Sequence, residues 1–431
     1  MNYSIRSLDV ICVIFTVLMV LLTKVYSFLS VVLAVWFLIY IVIKMLKTKN
    51  SIFLIIELFI LMYSFVPIFY FFSGIYIAAY QPIDTDHYQN MLAVLQIQSV
   101  FNVVFFSFSP LDSEFVFSKK IKSFNNNIAW IATFFLMIVS LAFVNWQRIR
   151  LFFRGTYSIE TESSIIFDYF MIFAISNCLF CDKKWKRILN VSLSIIVAAV
   201  CLLLGKRLTA ITNLLLVYIL YFDGKFKKKT LLGCFVGGTI LMNSIQFIRI
   251  GKMPSLLNAL TGLNIENGIF RSNPGDVWYA SEVIYKLIDN NTFDWTFRMK
   301  SFIGTLLNSF LTTSLTPKEA LVNIYITDNN LFPYTANGGF IGVSTYLWFG
   351  YFSVIIFAAL LSIILKKGFE CKSLFISLFS VLVLATFPRW YTYNPRILFK
   401  FAFVAIVVYL FTLVVSSFGN RKGFSKDLSN E

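Results

Sequence analysis

Long apolar runs, separated by short basic blocks, recur along almost the whole of this 431-residue chain. They lie near 8–23, 27–43, 52–74, 91–108, 128–145, 165–180, 188–204, 208–222, 230–247, 340–365, 373–387 and 397–418. A run of roughly 17 to 25 apolar residues crosses a bilayer as a helix, because a helix satisfies its own backbone where no water is present. The pattern predicts an all-α polytopic membrane protein with about twelve transmembrane helices. Composition agrees: 58% of residues are hydrophobic and 13% charged, against roughly a quarter charged in soluble domains. A chain this apolar cannot cover its own surface with polar groups.

The net charge of +16 is carried in blocks between the runs. That is a positive-inside signature, not a nucleic-acid groove. Lysine blocks such as Lys119, Lys120 and Lys122, or Lys227, Lys228 and Lys229, occupy alternate connections, which predicts that both termini are cytoplasmic. Nine of the twelve arginines fall on the other, outer face. Orientation needs only charge, whereas the planar guanidinium fork suits phosphate or carboxylate. The outer face is therefore expected to grip an anionic lipid headgroup or a diphosphate. The alternative for any one arginine is that it anchors a helix end or pairs with an outer acid.

Runs 188–204 and 208–222 are joined only by Gly205, Lys206 and Arg207. Together they are shorter than the roughly 40 residues that two full crossings need, so Lys206 and Arg207 are expected to be recessed. Charges at that depth are costly unless they face a polar cavity. Arg389 and Arg396 bracket a final outer loop after another short run.

The chain divides into nine spans over 1–247, a long outer connection over 248–339, three spans over 340–418 and a cytoplasmic tail over 419–431. The connection is expected to be partly helical. Asn273-Pro274 reads as an N-cap and first-turn pair. After it Val277, Ala280, Val283, Ile284, Leu287 and Ile288 recur at helical spacing, with Glu282 and Lys286 as an i,i+4 pair on the other face. A second stripe of Phe302, Ile303, Leu306, Leu307, Phe310 and Leu311 predicts an amphipathic helix lying in the outer interface. The pair either caps the bundle or forms a lid over a lipid-linked substrate.

No phosphate-binding glycine loop, zinc-protease motif or nucleophile elbow occurs, so no nucleotide or cofactor is expected. Cys178 and Cys181 have CxxC spacing but no second pair, and read as membrane-edge packing rather than a zinc site. His87, the only histidine, follows Asp84 and Asp86 and reads as a loop-surface residue rather than a metal ligand. Glu57 and Asp168 lie inside apolar runs and are expected to be paired. The outer carboxylates Glu160, Glu162, Asp276, Glu282, Asp289 and Asp294 are candidates for a general base. Gly338 and Gly339 open the tenth run, where they serve close packing or the approach of an anion.

Four features in order carry a resemblance: Leu203-Leu204-Gly205-Lys206-Arg207; Phe153-Arg154-Gly155-Thr156-Tyr157; the long connection leading into Asn337-Gly338-Gly339-Phe340-Ile341-Gly342 and Phe349-Gly350; and the Arg389/Arg396 pair. With this topology the chain resembles the bacterial O-antigen and oligosaccharide repeat-unit polymerases (Wzy-type). The resemblance implies a GT-C-like fold in the bacterial inner membrane. It implies metal-independent glycosyl transfer at the outer leaflet, on undecaprenyl-diphosphate-linked oligosaccharide, with a chain-length regulator as a membrane partner. Without a metal, arginines would stabilise the leaving diphosphate. That role falls to Arg207 and Arg389, then Lys206, Arg249 and Arg396, with Asp276 or Glu282 as the base. The related O-antigen ligases are expected to carry a histidine in the long outer loop; here His87 lies elsewhere in the sequence, which favours the polymerase. A flippase of lipid-linked oligosaccharide is the other alternative, but it should show repeated halves, and no internal repeat is found.

Overall fold

The computed structural model describes residues 7–76, 87–112, 126–142, 144, 165–204, 206–249, 255–261, 264–266, 269–308, 316–332, 338–370, 373–393 and 395–419. Helix dominates them. The helices before the long connection are α1 (Ser7–Val25), α2 (Ser30–Lys47), α3 (Ser51–Ser73), α4 (His87–Phe108), α5 (Asn127–Ala142), α6 (Ile165–Cys178), α7 (Lys184–Leu203), α8 (Arg207–Phe222) and α9 (Lys228–Arg249). The connection contributes α10 (Leu256–Thr261), an antiparallel hairpin of β1 (Asn264–Glu266) and β2 (Ile269–Arg271), α11 (Asn273–Asp289), α12 (Trp295–Leu307) and α13 (Val322–Asp328). The chain closes with α14 (Ile341–Phe349), α15 (Tyr351–Glu370), α16 (Leu374–Ala385), α17 (Phe387–Thr392) and α18 (Arg396–Gly419).

Within the described residues each apolar run is largely helical. Among the described residues six helices are long and apolar enough to cross a membrane: α2, α3, α4, α7, α15 and α18. The apolar helices α5, α6, α8 and α16 are shorter. Much of this apolar surface points outward. Ile14, Leu18 and Leu21 of α1, Ile128 of α5 and Phe352 of α15 are all exposed. Water does not tolerate so extensive an apolar exterior, whereas lipid does. The chain is thus a helical membrane protein.

The expected tenth span, 340–365, is broken. Gly350 sits at φ 65°, ψ −149° and ends α14, and α15 restarts at once. Only glycine adopts this conformation cheaply, so the apolar run conceals a joint that its hydropathy does not reveal.

Two compact units make up the fold. One comprises Met1–Glu114, Gly262–Lys367 and Pro388–Lys400; the other Phe115–Thr261, Gly368–Phe387 and Phe401–Glu431. In the first, α4 packs against α1, α11 and α14, and α2 against α3. Asn50 caps α3 by accepting from the Ile52 and Phe53 amides at 2.9 and 3.3 Å, and Gly74 ends it in the left-handed region. The connection from α11 onwards therefore folds with the N-terminal helices. In the second unit α5 packs on α6, and α8 on α7 and α16.

The cap of α11 is Ser272, whose Oγ accepts from the Gly275 amide at 3.1 Å; Asn273 and Pro274 are the first two helical residues, so the helix starts one residue earlier than expected. The apolar side predicted for this helix is buried at Val277, Ala280, Val283, Ile284 and Leu287. On α12 the buried face is instead Phe297, Ser301, Gly304 and Thr305, while Ile303 and Leu307 are exposed. Phe302 of the same stripe packs edge-on against Trp348 and Phe349 of the neighbouring helix at 5.3 and 5.2 Å. Phe310 and Leu311 lie outside the described residues.

The final outer loop expected between Arg389 and Arg396 is largely the buried helix α17. Trp390 packs edge-on against Phe105 at 6.3 Å, and the Tyr391 hydroxyl receives the Asn102 amide at 2.9 Å. Aromatic bulk and the buried Asn102 partner of the Tyr391 hydroxyl hold this polar-looking segment inside.

Candidate functional site

α4 differs from the other long helices in its polar content. His87, Asn90, Gln96, Gln98, Ser99 and Asn102 all lie along it, and all are buried. A polar group in a buried helix is costly unless another group meets it, so these residues mark where unit one gathers its buried polar groups. Gln96 Nε2 donates to Thr23 Oγ1 of α1 at 3.0 Å. Gln98 lies against Gly342 of α14, where an added Cβ would stand 2.9 Å from its Nε2.

His87 begins α4 and is buried, not a loop-surface residue. Its Nδ1 contacts Glu282 Oε2 of α11, with side-chain exposures of 4% and 0%. The Tyr76 hydroxyl donates to Glu282 Oε1 at 3.2 Å. Tyr76 and Tyr70 set their rings edge-on to the imidazole at 4.0 and 4.8 Å. His87 Nε2 has no hydrogen-bond partner among the described residues.

Burial pushes the Glu282 carboxyl above its ordinary value; His87 and the Tyr76 hydroxyl oppose this without cancelling it. Burial, reinforced by the adjacent carboxylate, holds the Tyr76 phenol well above its usual range, so it stays a donor. The expected Glu282–Lys286 pair on an open helix face does not describe this site. Glu282 turns inward to His87, because α11 is covered on that side as well.

One turn from the pair, the same two helices line a cleft of about 590 Å³. α4 contributes Gln89, Asn90, Ala93 and Gln96; α11 and its end contribute Tyr285, Lys286, Asp289 and Asn290; Thr23, Lys24 and Ser27 come from the end of α1 and the turn after it. Asn90 is 5% exposed, and its Nδ2 has no partner among the described residues. Lys24 Nζ lies 5.1 Å from the centre of the Tyr351 ring.

The remaining candidate residues are spread over both units. Asp276 is half-buried in the first turn of α11, and Asp289 lines the cleft. Asp294 caps α12, accepting from the Phe297 amide at 2.7 Å, so its carboxylate has a structural task. Glu160 and Glu162 lie outside the described residues, as do the Phe153–Tyr157 motif and Asp84 and Asp86. Arg389 is buried in α17 and Arg396 begins α18, both in unit one. Lys206 and Arg207 stand half-buried at the start of α8 in unit two, where the Lys206 amide donates to Cys201 O at 2.7 Å. Arg249 ends α9, and its side chain is outside the described part.

Gly338 and Gly339 serve packing. At φ 154° and 142° they thread the chain beside α17, the Gly339 amide donating to Thr392 O at 3.0 Å and the Phe340 amide to Ser281 Oγ at 2.9 Å. Arg298 is likewise structural, its Nε donating to Leu347 O in the last turn of α14 at 2.6 Å. Glu57 accepts the Thr48 hydroxyl at 2.5 Å.

Sequence reasoning missed His87 as a member of the site. The signal was the crowding of amides and hydroxyls that follows it in an otherwise apolar run. Comparison with models of protein families, with curated proteins and with solved structures finds no match for this chain.

Proposed function

We propose that this chain is a glycosyltransferase of the bacterial inner membrane that polymerises undecaprenyl-diphosphate-linked oligosaccharide repeat units at the outer leaflet, with about twelve crossings and both termini cytoplasmic. What supports this most is the buried Glu282, paired with His87 and hydrogen-bonded by Tyr76, one turn from a polar cleft on the helix of the long connection. A carboxyl held above its ordinary value is a better proton acceptor than a free one, and glycosyl transfer needs such a base.

In the proposed reaction an acceptor hydroxyl oxygen attacks the anomeric carbon of the donor sugar. The bond from that carbon to the diphosphate oxygen breaks, and undecaprenyl diphosphate leaves with the electron pair. The hydroxyl proton passes to the base. In this conformation Glu282 is enclosed, so the proton reaches it through His87 or the half-buried Tyr76 hydroxyl. Lys206 and Arg207 of unit two are candidates for the leaving diphosphate from their place in the sequence. α8 has 16 residues, about 24 Å of helix, against roughly 30 Å of hydrocarbon, which favours a recessed position for its first residues.

The O-antigen ligase is a second reading, favoured by one observation. In sequence His87 is remote from the long connection, but in space it contacts Glu282 of that connection. The sequence-based ground for preferring the polymerase is correspondingly weaker.

The glycan ladder of a deletion strain tests these readings. Loss of the ladder with a single repeat unit still exported supports the polymerase. A complete lipid-linked polymer that never reaches its final acceptor means a ligase. Precursor trapped inside means a flippase and removes both.

A further inference from the structure

Arg298 of α12 stands half-buried beside the start of a membrane-length helix. That helix, α15, has 20 residues and is long and apolar enough to cross a bilayer. It supplies about 30 Å, the thickness of the hydrocarbon layer, so its first turn marks the bilayer surface. α14 ends just before it at Phe349, and the Arg298 Nε holds the Leu347 carbonyl in that last turn. The guanidinium is thereby fixed near the same level. Exposed aromatic side chains gather there: Phe352 is 70% exposed and Trp295 60%, and Trp295 meets Phe349 edge-on at 5.7 Å. Such rings are enriched where hydrocarbon meets headgroups.

Only one edge of the guanidinium fork is used. Its other N–H groups have no acceptor among the described residues, and Arg298 has no ion pair there. Its carbon lies 6.0 Å from the centre of the Trp295 ring. Asp294 is taken up by the Phe297 amide, and Glu319 by Lys300 at 3.5 Å. Segments 309–315 and 333–337, next to α12 and α14 in sequence and outside the described residues, contain no acidic residue. Trp295, Ile303 and Leu307 are all exposed and follow one another at multiples of four residues, so they form one apolar ridge of α12 beside the arginine.

We propose that Arg298 and this ridge form a binding site for an anionic phospholipid of the bilayer. The phosphodiester lies against the free edge of the guanidinium, which is shaped to grip two oxygens at once. The acyl chains run along Ile303 and Leu307. A lipid without a headgroup ammonium is preferred, because choline screens its own phosphate. One cation balances the single charge of a phosphodiester, whereas a diphosphate carries more. Bound there, the lipid ties α12 and the joint at Gly350 to the membrane surface. The proposal rests on membrane placement and not on glycan chemistry, so it stands or falls apart from the polymerase reading.

The full-length protein is placed in phosphatidylcholine nanodiscs with a trace of phosphatidylglycerol, or of phosphatidylcholine, that carries a photoreactive diazirine in one acyl chain. Peptide mapping after irradiation reads labelling of α12, with the lipid-exposed Leu410 and Val414 of α18 as the internal reference. Phosphatidylglycerol is expected to label α12 about fivefold more than phosphatidylcholine does, the scale for one basic side chain near an anionic headgroup. Arg298→Gln should erase that preference. So should Trp295→Glu, which keeps Arg298 and its bond to Leu347 but sets a carboxylate three residues before it. Trp295 is exposed, so this variant keeps the test decisive if Arg298→Gln is unstable. Equal labelling by the two lipids, or a preference that Trp295→Glu leaves unchanged, would overturn the proposal. Displacement of phosphatidylglycerol by an equimolar amount of farnesyl diphosphate would also overturn it, and would make the occupant an isoprenoid diphosphate.

Discussion

Glu282 of α11 meets His87 of α4 in a contact sealed from solvent, and both helices reach the polar cleft one turn away. The contact ties the long connection to the N-terminal helices through two ionisable groups rather than apolar packing alone. Removing charges from water costs more than their attraction returns unless the geometry is good and the remaining polar atoms are met. Tyr76 donates to one of the two carboxylate oxygens and the imidazole lies against the other, while His87 Nε2 has no hydrogen-bond partner among the described residues.

Glu282→Ala strands the imidazole and the Tyr76 hydroxyl together. The expected loss of stability is about 3 kcal/mol, the scale for breaking a buried pair from one side. Glu282→Gln keeps the volume and an acceptor for Tyr76, and should cost less than half as much. Thermal unfolding of the purified variants in one detergent measures both. Equal losses would show that the pairing contributes nothing beyond shape.

The pH dependence has a definite sign. The folded state holds the Glu282 carboxyl above its ordinary value, while in the unfolded chain it sits near about 4.3. As pH rises past that point the unfolded chain loses its proton first. The contribution of this group to stability is therefore full below the unfolded value and is lost as pH rises through the folded one. Glu282→Gln should flatten that slope between mildly acidic and neutral pH. If Glu282 is also the base, the acid limb of the wild-type rate profile lies above the ordinary carboxyl range.

Gly338→Ala tests the threading of the chain beside α17. Gly338 has φ 154°, and an added Cβ would lie 3.0 Å from Thr392 O, a backbone atom that cannot step aside. Strain and close contact together should cost on the order of 1–3 kcal/mol. Gly233→Ala is the control: it lies within α9 with nothing inside 4 Å, so it should be neutral or mildly stabilising. Similar melting temperatures for the two variants would contradict the packing role of Gly338.

Hydropathy made the helices legible because burial in lipid imposes one rule on every residue of a span. It could not show the break at Gly350, where a single residue's torsion angles decide the outcome. Nor could it show α17, where Trp390 and Tyr391 are drawn inward by partners on a helix remote in sequence. The site was half legible. Glu282 was visible as a carboxylate on a helix of the long connection. His87 was visible as a residue but not as its partner, since no periodicity links the start of α4 to the middle of α11. Asp294 shows the converse: a carboxylate that could have been a base is an N-cap, and its position just before an apolar helix was the available sign.

Arg207 and Arg389 carry the leaving-group assignment, and their environments demand different substitutions. Arg207 is half-buried at the first position of α8, so Arg207→Ala is expected to leave the fold intact. Arg389 is buried in α17, so Arg389→Ala removes packing along with charge. Arg389→Lys keeps the charge but loses the planar fork that grips two phosphate oxygens at once. Loss of one preorganised donor to a developing anion slows turnover by roughly 10²–10³. Arg207→Ala and Arg389→Lys should both fall in that range on lipid-diphosphate-linked repeat units in vesicles, with melting temperatures close to that of the wild type. Normal chain extension by both Arg207→Ala and Arg389→Ala, in protein correctly inserted, would remove arginine from the leaving-group chemistry. A defect in Arg389→Ala repaired by Arg389→Lys would instead assign Arg389 to charge and packing, leaving the diphosphate to Arg207 and its neighbour Lys206.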